Sequence, residues 1–187
     1  MQDDAQLIDQ ALAGNADAFG TLVRKYQDRL YNFLVHLLGC PEEAEDVAQD
    51  TFVRAFLKLQ TYRGASAFYT WLYRIAYNTA ISRMRRKRPE VSMTRQGRPG
   101  ANEPVDRGMG PNDRLQSQER AQQVQTALAA LSDEHRAILV LRDVDGRRYD
   151  TIAQVLDLSL GTVRSRLHRA RRRLREQLKE VLPEYPR

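Results

Sequence analysis

Apolar positions recur at steps of three and four along most of the chain, the mark of amphipathic helices. Leu7, Ile8, Ala11 and Leu12 predict a short helix over residues 3–13, which Gly14-Asn15 ends. Phe19, Leu22, Val23, Tyr26, Leu30, Phe33, Leu34 and Leu37 continue as one stripe, predicting a long helix over residues 16–38. Gly39 suits its C-terminal stop, and Pro41 suits the first turn of the next helix. That third helix, residues 41–59, turns Ala44, Val47, Ala48, Phe52, Ala55, Phe56 and Leu59 to one side. Gly64 then breaks the period. Ser66 can cap a fourth helix running to Arg86, with Phe68, Trp71, Leu72, Ile75, Ala76 and Thr79 as its buried stripe. Tyr69, Tyr73, Tyr77 and Asn78 fall partly outside that stripe.

Periodicity is lost across residues 89–112, where Pro89, Gly97, Pro99, Gly100, Pro104, Gly108, Gly110 and Pro111 leave no room for a regular element. A flexible coil of this length holds its ends roughly 25–30 Å apart on average. Helical pattern resumes with Val124, Leu128 and Leu131, and Ser132 can cap a further helix through Arg142. Asp145-Gly146 marks a turn. Two apolar-periodic segments then follow. Ile152, Ala153, Val155 and Leu156 mark the first; Val163, Leu167, Ala170, Leu174 and Leu178 mark the second. Between them Asp157 can adopt a left-handed turn conformation, Ser159 can cap the next helix, and Ala153 is small enough for two helices to cross closely. Helix, tight turn and helix of this length is the arrangement that lays its second helix in a major groove. The predicted fold is all-α: two small helical domains, residues 1–88 and 113–187, joined by a flexible linker at 89–112.

Charge sharpens this picture. The formal net charge is +6 and the sequence pI about 9.7, which calls for an anionic partner. Arg164, Arg166, Arg169, Arg171, Arg172, Arg173 and Arg175 follow one another on the last helix with no acid among them, with Ser165 and His168 alongside. Guanidinium forks match phosphate oxygens and guanine edges, so this end of the chain is expected to bind DNA. On the fourth helix and the loop before it, aromatics alternate with Arg63, Arg74, Arg83, Arg85, Arg86, Lys87 and Arg88. Unpaired bases stack on such surfaces, and Tyr62, Ser66 and Asn78 are the better contact candidates there. Trp71 sits in mid-stripe and reads as core. The third helix carries Glu42, Glu43, Glu45, Asp46 and Asp50. Its first-turn acids are favoured by the helix dipole. Asp46, Gln49 and Asp50 lie beyond that turn and fit either a solvated face or a partner contact.

One cysteine, Cys40, excludes an internal disulfide and a thiolate zinc cluster. His36, His135 and His168 are scattered, and no phosphate-binding glycine loop or zinc-ligand spacing is present, which argues against an enzyme, a metal or a cofactor. The acidic start MQDDAQLIDQ and the lack of a long apolar run predict a cytoplasmic protein without membrane insertion. An ordinary helix-turn-helix regulator would account for residues 132–175, but not for the aromatic-basic helix at 66–86.

Ala18-Phe19 with Tyr26, EDVAQDTFVRAF at 45–56 and YRGASAFYTWLYRIAYNTA at 62–80 resemble region 2 of extracytoplasmic-function sigma factors. SDEHRAILVLRDVDGRRYDTIAQVLDLSLGTVRSRLHRARRRLR at 132–175 resembles their region 4. The resemblance covers nearly the whole chain, with both parts in the family's order. It implies a stress-responsive transcription factor without catalysis of its own, which binds core RNA polymerase at the clamp of the largest subunit and the flap of the second-largest. Glu45, Asp46, Gln49 and Asp50 would meet the clamp. Tyr62, Arg63, Ser66, Tyr69, Arg74 and Asn78 would recognise the −10 element and capture a flipped base of the non-template strand, a step whose cost of a few kcal/mol a stacking pocket can offset. Arg164, Ser165, His168 and Arg169 would face the −35 major groove, with Arg166, Arg171 and Arg172 nearer the phosphates. The family also implies an anti-sigma factor as partner. Ala65 and Tyr62 depart from the residues usual in the family's strand-opening loop, which bears on promoter specificity.

Overall fold

A computed structural model of the chain describes residues 3–87 and 121–181. Among these residues every regular element is a helix. The first domain contains α1 (Asp4–Leu12), α2 (Ala16–Leu38), α3 (Pro41–Leu57) and α4 (Phe68–Lys87), with a 3-10 turn at Leu59–Thr61. Asn15 starts α2 by accepting the N–H groups of Asp17 at 3.1 Å and Ala18 at 3.4 Å. Gly39 ends it at φ 75°, a left-handed position that glycine occupies without strain. Leu22, Leu30, Leu34, Leu37, Phe33 and Phe68 are buried at the centre, each contributing about 1.5–3 kcal/mol over exposure. Asp4 pins α1 to α2 by accepting from Lys25 at 2.5 Å and from the Tyr26 hydroxyl. Burial, and then the Asp4 contact, push the Tyr26 phenol well above its ordinary value.

Three details depart from the sequence pattern. Helix α3 stops at Leu57, and Phe56 is 51% exposed although its ring edges against Phe19. Helix α4 begins at Phe68, so Ala67 rather than Ser66 immediately precedes it and accepts the Trp71 N–H at 3.4 Å, while the Ser66 carbonyl accepts the Tyr62 hydroxyl at 2.6 Å. Trp71 is half-buried, while Tyr73 is only 1% exposed. The reason is that α4 is flanked on more than one side, packing on α2 and α3 and also on a helix of the second domain. A stripe drawn for one buried side misassigns these two rings.

In the second domain, α5 occupies residues 121–129 of the described chain, followed by α6 (Asp133–Leu139), a π-helical segment (Val140–Val144), α7 (Tyr149–Leu156) and α8 (Leu160–Val181). Ser132 stands at the N-cap of α6 but makes no side-chain cap bond. The expected run to Arg142 widens at Val140, where the Asp145 N–H reaches the Val140 carbonyl at 2.9 Å. Gly146 then turns the chain at φ 68°. The α7–α8 turn follows the sequence reading: Asp157 is left-handed at φ 56°, and the Ser159 hydroxyl accepts the Thr162 N–H at 3.1 Å. Val163, Leu167 and Ala170 seat α8 on the domain.

Arg136, 7% exposed, ties these pieces together. Its guanidinium donates to the carbonyls of Leu128 at 2.9 Å, Ala129 at 2.8 Å and Leu131 at 3.2 Å, which close α5. A fourth bond, 2.9 Å, reaches the Leu37 carbonyl at the end of α2 in the first domain. Burial lowers its pKa from the ordinary arginine value, and a cation in such a place is tolerated because the carbonyls facing it are helix-end acceptors that would otherwise lack partners. Helix α7 lies against α4, and α6 and the π segment lie against α2, so the domains touch directly. The expected linker, residues 89–112, lies outside the described residues.

Candidate nucleic-acid interface

The basic face of α8 is the simplest of the candidate sites. Arg164, Ser165, His168, Arg169, Arg171 and Arg172 are exposed, opposite the buried stripe that anchors the helix. Arg169 lies along the helix, its Nε donating to the Ser165 carbonyl at 3.4 Å. Two of the arginines are engaged within the domain. Arg166 pairs with Glu134 at 2.9 Å with its side chain only 21% exposed, so it clamps α8 to α6. Arg171 grips Asp143 of the π segment through Nε at 3.0 Å and Nη2 at 2.5 Å. That hydrogen bond raises the Arg171 pKa above its ordinary value. Arg172 stands 3.9 Å from Glu176, an exposed pair of little energetic weight. Arg164, Ser165, His168 and Arg169 thus form the face available to a groove.

The face on α4 is arranged differently. Arg63 and Asn78 are exposed. Tyr62 is half-buried: its ring packs on Phe68 and Trp71 with centroids 5.7 and 5.4 Å away, and its hydroxyl is spent on Ser66, so it fastens the loop. Ser66 and Arg74 line a cleft of about 450 Å³ with Ala65, Thr70 and Trp71, and its other wall is Ala153, Gln154, Asp157 and Leu158 of the second domain. The small Ala153 therefore lines the approach of α7 to α4. Arg74 is 3.4 Å from Asp157. The Tyr69 hydroxyl lies 3.2 Å from the Thr151 hydroxyl. Arg147 enters between two rings, 4.5 Å from the centroid of Tyr69 and 5.0 Å from that of Tyr73. Burial pushes the Tyr73 phenol up to about 12. Burial also raises the Asp145 carboxyl, against the pull of the Arg147 guanidinium 2.5 Å away. For Arg147, burial works against the charge, and its bond to Asp145 more than restores it. The arginine is the charged centre of the seam, and no periodicity marked it.

The acidic face of α3 borders a groove of about 430 Å³ between α2 and α3, lined by Val23, Gln27, Asp28, Tyr31, Glu45, Ala48, Gln49 and Phe52. Glu45 and Gln49 form its polar rim, and Asp50 is exposed beside them. Asp46 is held by Arg83 of α4 at 2.7 Å, and Glu43 by Lys87. Val53, Phe56 and Leu57 are exposed at 59%, 51% and 74% toward the end of the same helix. This apolar ground was not read as contact surface, because two of its three members fall outside the amphipathic stripe. Among the described residues no cluster of three or more His, Cys, Asp or Glu side chains could hold a metal ion, and no helix is long and apolar enough to cross a membrane.

Both basic faces fall in regions of the chain that match known families. Residues 22–90 match the model of Sigma-70 region 2, and residues 121–174 match that of Sigma-70, region 4. The chain is 36% identical to the ECF RNA polymerase sigma factor SigW of Bacillus subtilis, over 93% of this chain and 96% of that protein. It is 36% identical to the RNA polymerase sigma-H factor of Pseudomonas aeruginosa, over 98% and 97%. Among solved structures, it resembles the sigma factor RpoE of Bartonella quintana in complex with the anti-sigma factor NepR, with TM-score 0.68 and 29% identity, covering 86% of this chain and 96% of that one. It also resembles CnrH in complex with the cytosolic domain of CnrY, with TM-score 0.70 and 29% identity, covering 95% and 97%. Two sigma regions in family order, with 36% identity to an ECF sigma factor over nearly the whole of both chains, make this chain a member of the extracytoplasmic-function group of sigma-70 RNA polymerase sigma factors.

Proposed function

We propose that this sigma factor divides its work among the three faces described above. Residues 1–88 carry core-polymerase binding and −10 recognition, residues 89–112 connect, and residues 113–187 read the −35 element. Glu45, Gln49 and Asp50, on the rim of the α2–α3 groove, contact the polymerase clamp, and Asp46 supports them from its bond to Arg83. Arg63, Ser66, Tyr69, Arg74 and Asn78 hold the opened non-template strand, with Tyr62 fixing the loop beneath them. Arg164, Ser165, His168 and Arg169 enter the major groove; Arg172 neutralises phosphate, while Arg166 and Arg171 set the pose of α8 from their bonds to Glu134 and Asp143.

The observation that carries this reading is the pairing of an exposed, acid-free arginine face on a helix-turn-helix with a second, aromatic-basic helix matching region 2. Such a chain supplies recognition and strand separation, and RNA synthesis belongs to the polymerase, in the cytoplasm. The likeness to a sigma factor solved with an anti-sigma factor supports an inhibitor of that kind for this protein, and release under stress as its trigger.

Run-off transcription with purified core polymerase on a promoter library tests the proposal. Defined starts on one promoter class, absent without the protein, are expected. Tight sequence-specific binding by the chain alone, with no polymerase-dependent start, would instead identify an ordinary helix-turn-helix regulator.

A further inference from the structure

We propose that Leu160, the first residue of α8, reads a thymine of the −35 element by packing on its 5-methyl group. This rests on the assignment of α8 to the major groove and adds a reader that the arginine run does not contain. Leu160 is 47% exposed, and among the described residues it is the one large apolar side chain of α8 left so open. Leu158 and Leu174 are partly buried against the core, and Val163, Leu167 and Ala170 are buried in it. Leu160 is therefore not needed to seat the helix. Residues four apart share a side of a helix, so Leu160 begins the row that continues with Arg164 and His168, both exposed. A recognition helix meets base edges with its N-terminal residues, which places Leu160 in the groove ahead of Arg164.

The neighbours select the ligand. The Ser159 and Thr162 hydroxyls lie 2.8 Å apart, and Ser159 also accepts the Thr162 N–H, so the opening turn is fixed without help from Leu160. Gly161 stands beside it. A Cβ there would meet only the Ser159 Oγ, at 3.9 Å, an ordinary contact, and the residue has no positive φ. The fold has room for a side chain at this position yet carries glycine, a poor helix former. A side chain that the protein's own packing could accept, and that is missing, leaves a notch beside Leu160 where a base edge can approach closely. In the major groove the thymine 5-methyl is the apolar group on offer, and covering it with a leucine removes both from water. A protein partner would call for a contiguous apolar patch. Leu160 is instead an isolated apolar point, set among exposed Ser159, Gly161 and Arg164.

The test uses the full chain with core polymerase, on the −35 sequence that run-off selection yields. Each thymine of that element, on either strand, is replaced in turn by uracil, which deletes the methyl and nothing else. Relative affinities are read by competition for the parent, Leu160→Ala and Gly161→Ala. One replacement is expected to weaken the parent about fourfold, the worth of one buried methyl group. The same replacement should leave Leu160→Ala unmoved, since the methyl has lost its partner there. Gly161→Ala should melt no lower than the parent, yet bind the unmodified promoter several-fold more weakly. A −35 element without thymine on either strand, a parent indifferent to every replacement, or a Leu160→Ala chain as sensitive as the parent would each overturn the methyl contact. Full affinity in Gly161→Ala would overturn the close approach. Failure of the parent holoenzyme to bind any promoter would strike the functional assignment itself, and this contact with it.

Discussion

The two basic helices differ in how they spend their cations. On α8 the apolar stripe is buried beneath, and Arg164, His168 and Arg169 face outward from a rigid support. On α4 the polar and aromatic residues are drawn into packing: Tyr73 is core, Tyr69 meets Thr151, and Arg74 meets Asp157. The first is an open, positively charged surface. The second is partly covered by a neighbouring helix. Arginine content alone would not have separated them, because what decides is which acid or ring each guanidinium already faces.

Substitutions can press on this contrast, beginning with the covered face. Tyr73→Ala should cost about 3–5 kcal/mol of stability in urea unfolding, since it removes a fully buried ring against Phe33 and Arg147. A loss below about 1 kcal/mol would mean that α4 is not integrated as described. On the open face, Arg169→Ala should leave stability within about 0.5 kcal/mol. It should instead relax discrimination at one promoter position by about 1–3 kcal/mol, read from binding to a panel of single-base variants. An equal loss on every sequence would assign Arg169 to the phosphates. Asp143→Ala should cost about 0.5 kcal/mol in stability while freeing Arg171, and the salt dependence of DNA binding should steepen by about one phosphate contact. An unchanged slope would leave Arg171 as scaffold.

The smallest effect concerns pH. Burial, joined by the charges of Arg173, Arg166 and Arg169, holds His135 below its ordinary value. The unfolded chain then binds the extra proton first as pH falls through about 6.5, so stability is full above that value and declines below it. His135→Gln should flatten this acid limb in thermal melts at pH 5–7, and a limb of unaltered slope would place the titration elsewhere.

Much of this architecture could be read from residue order. The stripe from Phe19 to Leu37 has one buried side and gave α2 its limits, with Gly39 at the stop. Asp157 and Ser159 marked the turn before α8 because each has a local reason to be there. What escaped were properties that depend on a second element. Trp71 and Tyr73 exchanged roles because α4 meets α7 as well as α2 and α3. The pairing of Arg166 with Glu134, distant in sequence, could not be read from the arginine run. The widened turn at Val140 leaves no periodic trace, and Arg147 was one of many arginines until the domains met around it.

Arg136 contributes one replaceable bond to the joint between the halves, beside those that Gln125 makes to Val35 and His36. Three of its four acceptors travel with it, and the fourth, the Leu37 carbonyl, can be hydrated as readily as any helix terminus. Moving one half away would therefore cost this arginine little, and neither half would need to unravel. The same side chain thus serves two ends at once, closing a helix within its own half and meeting a helix terminus of the other.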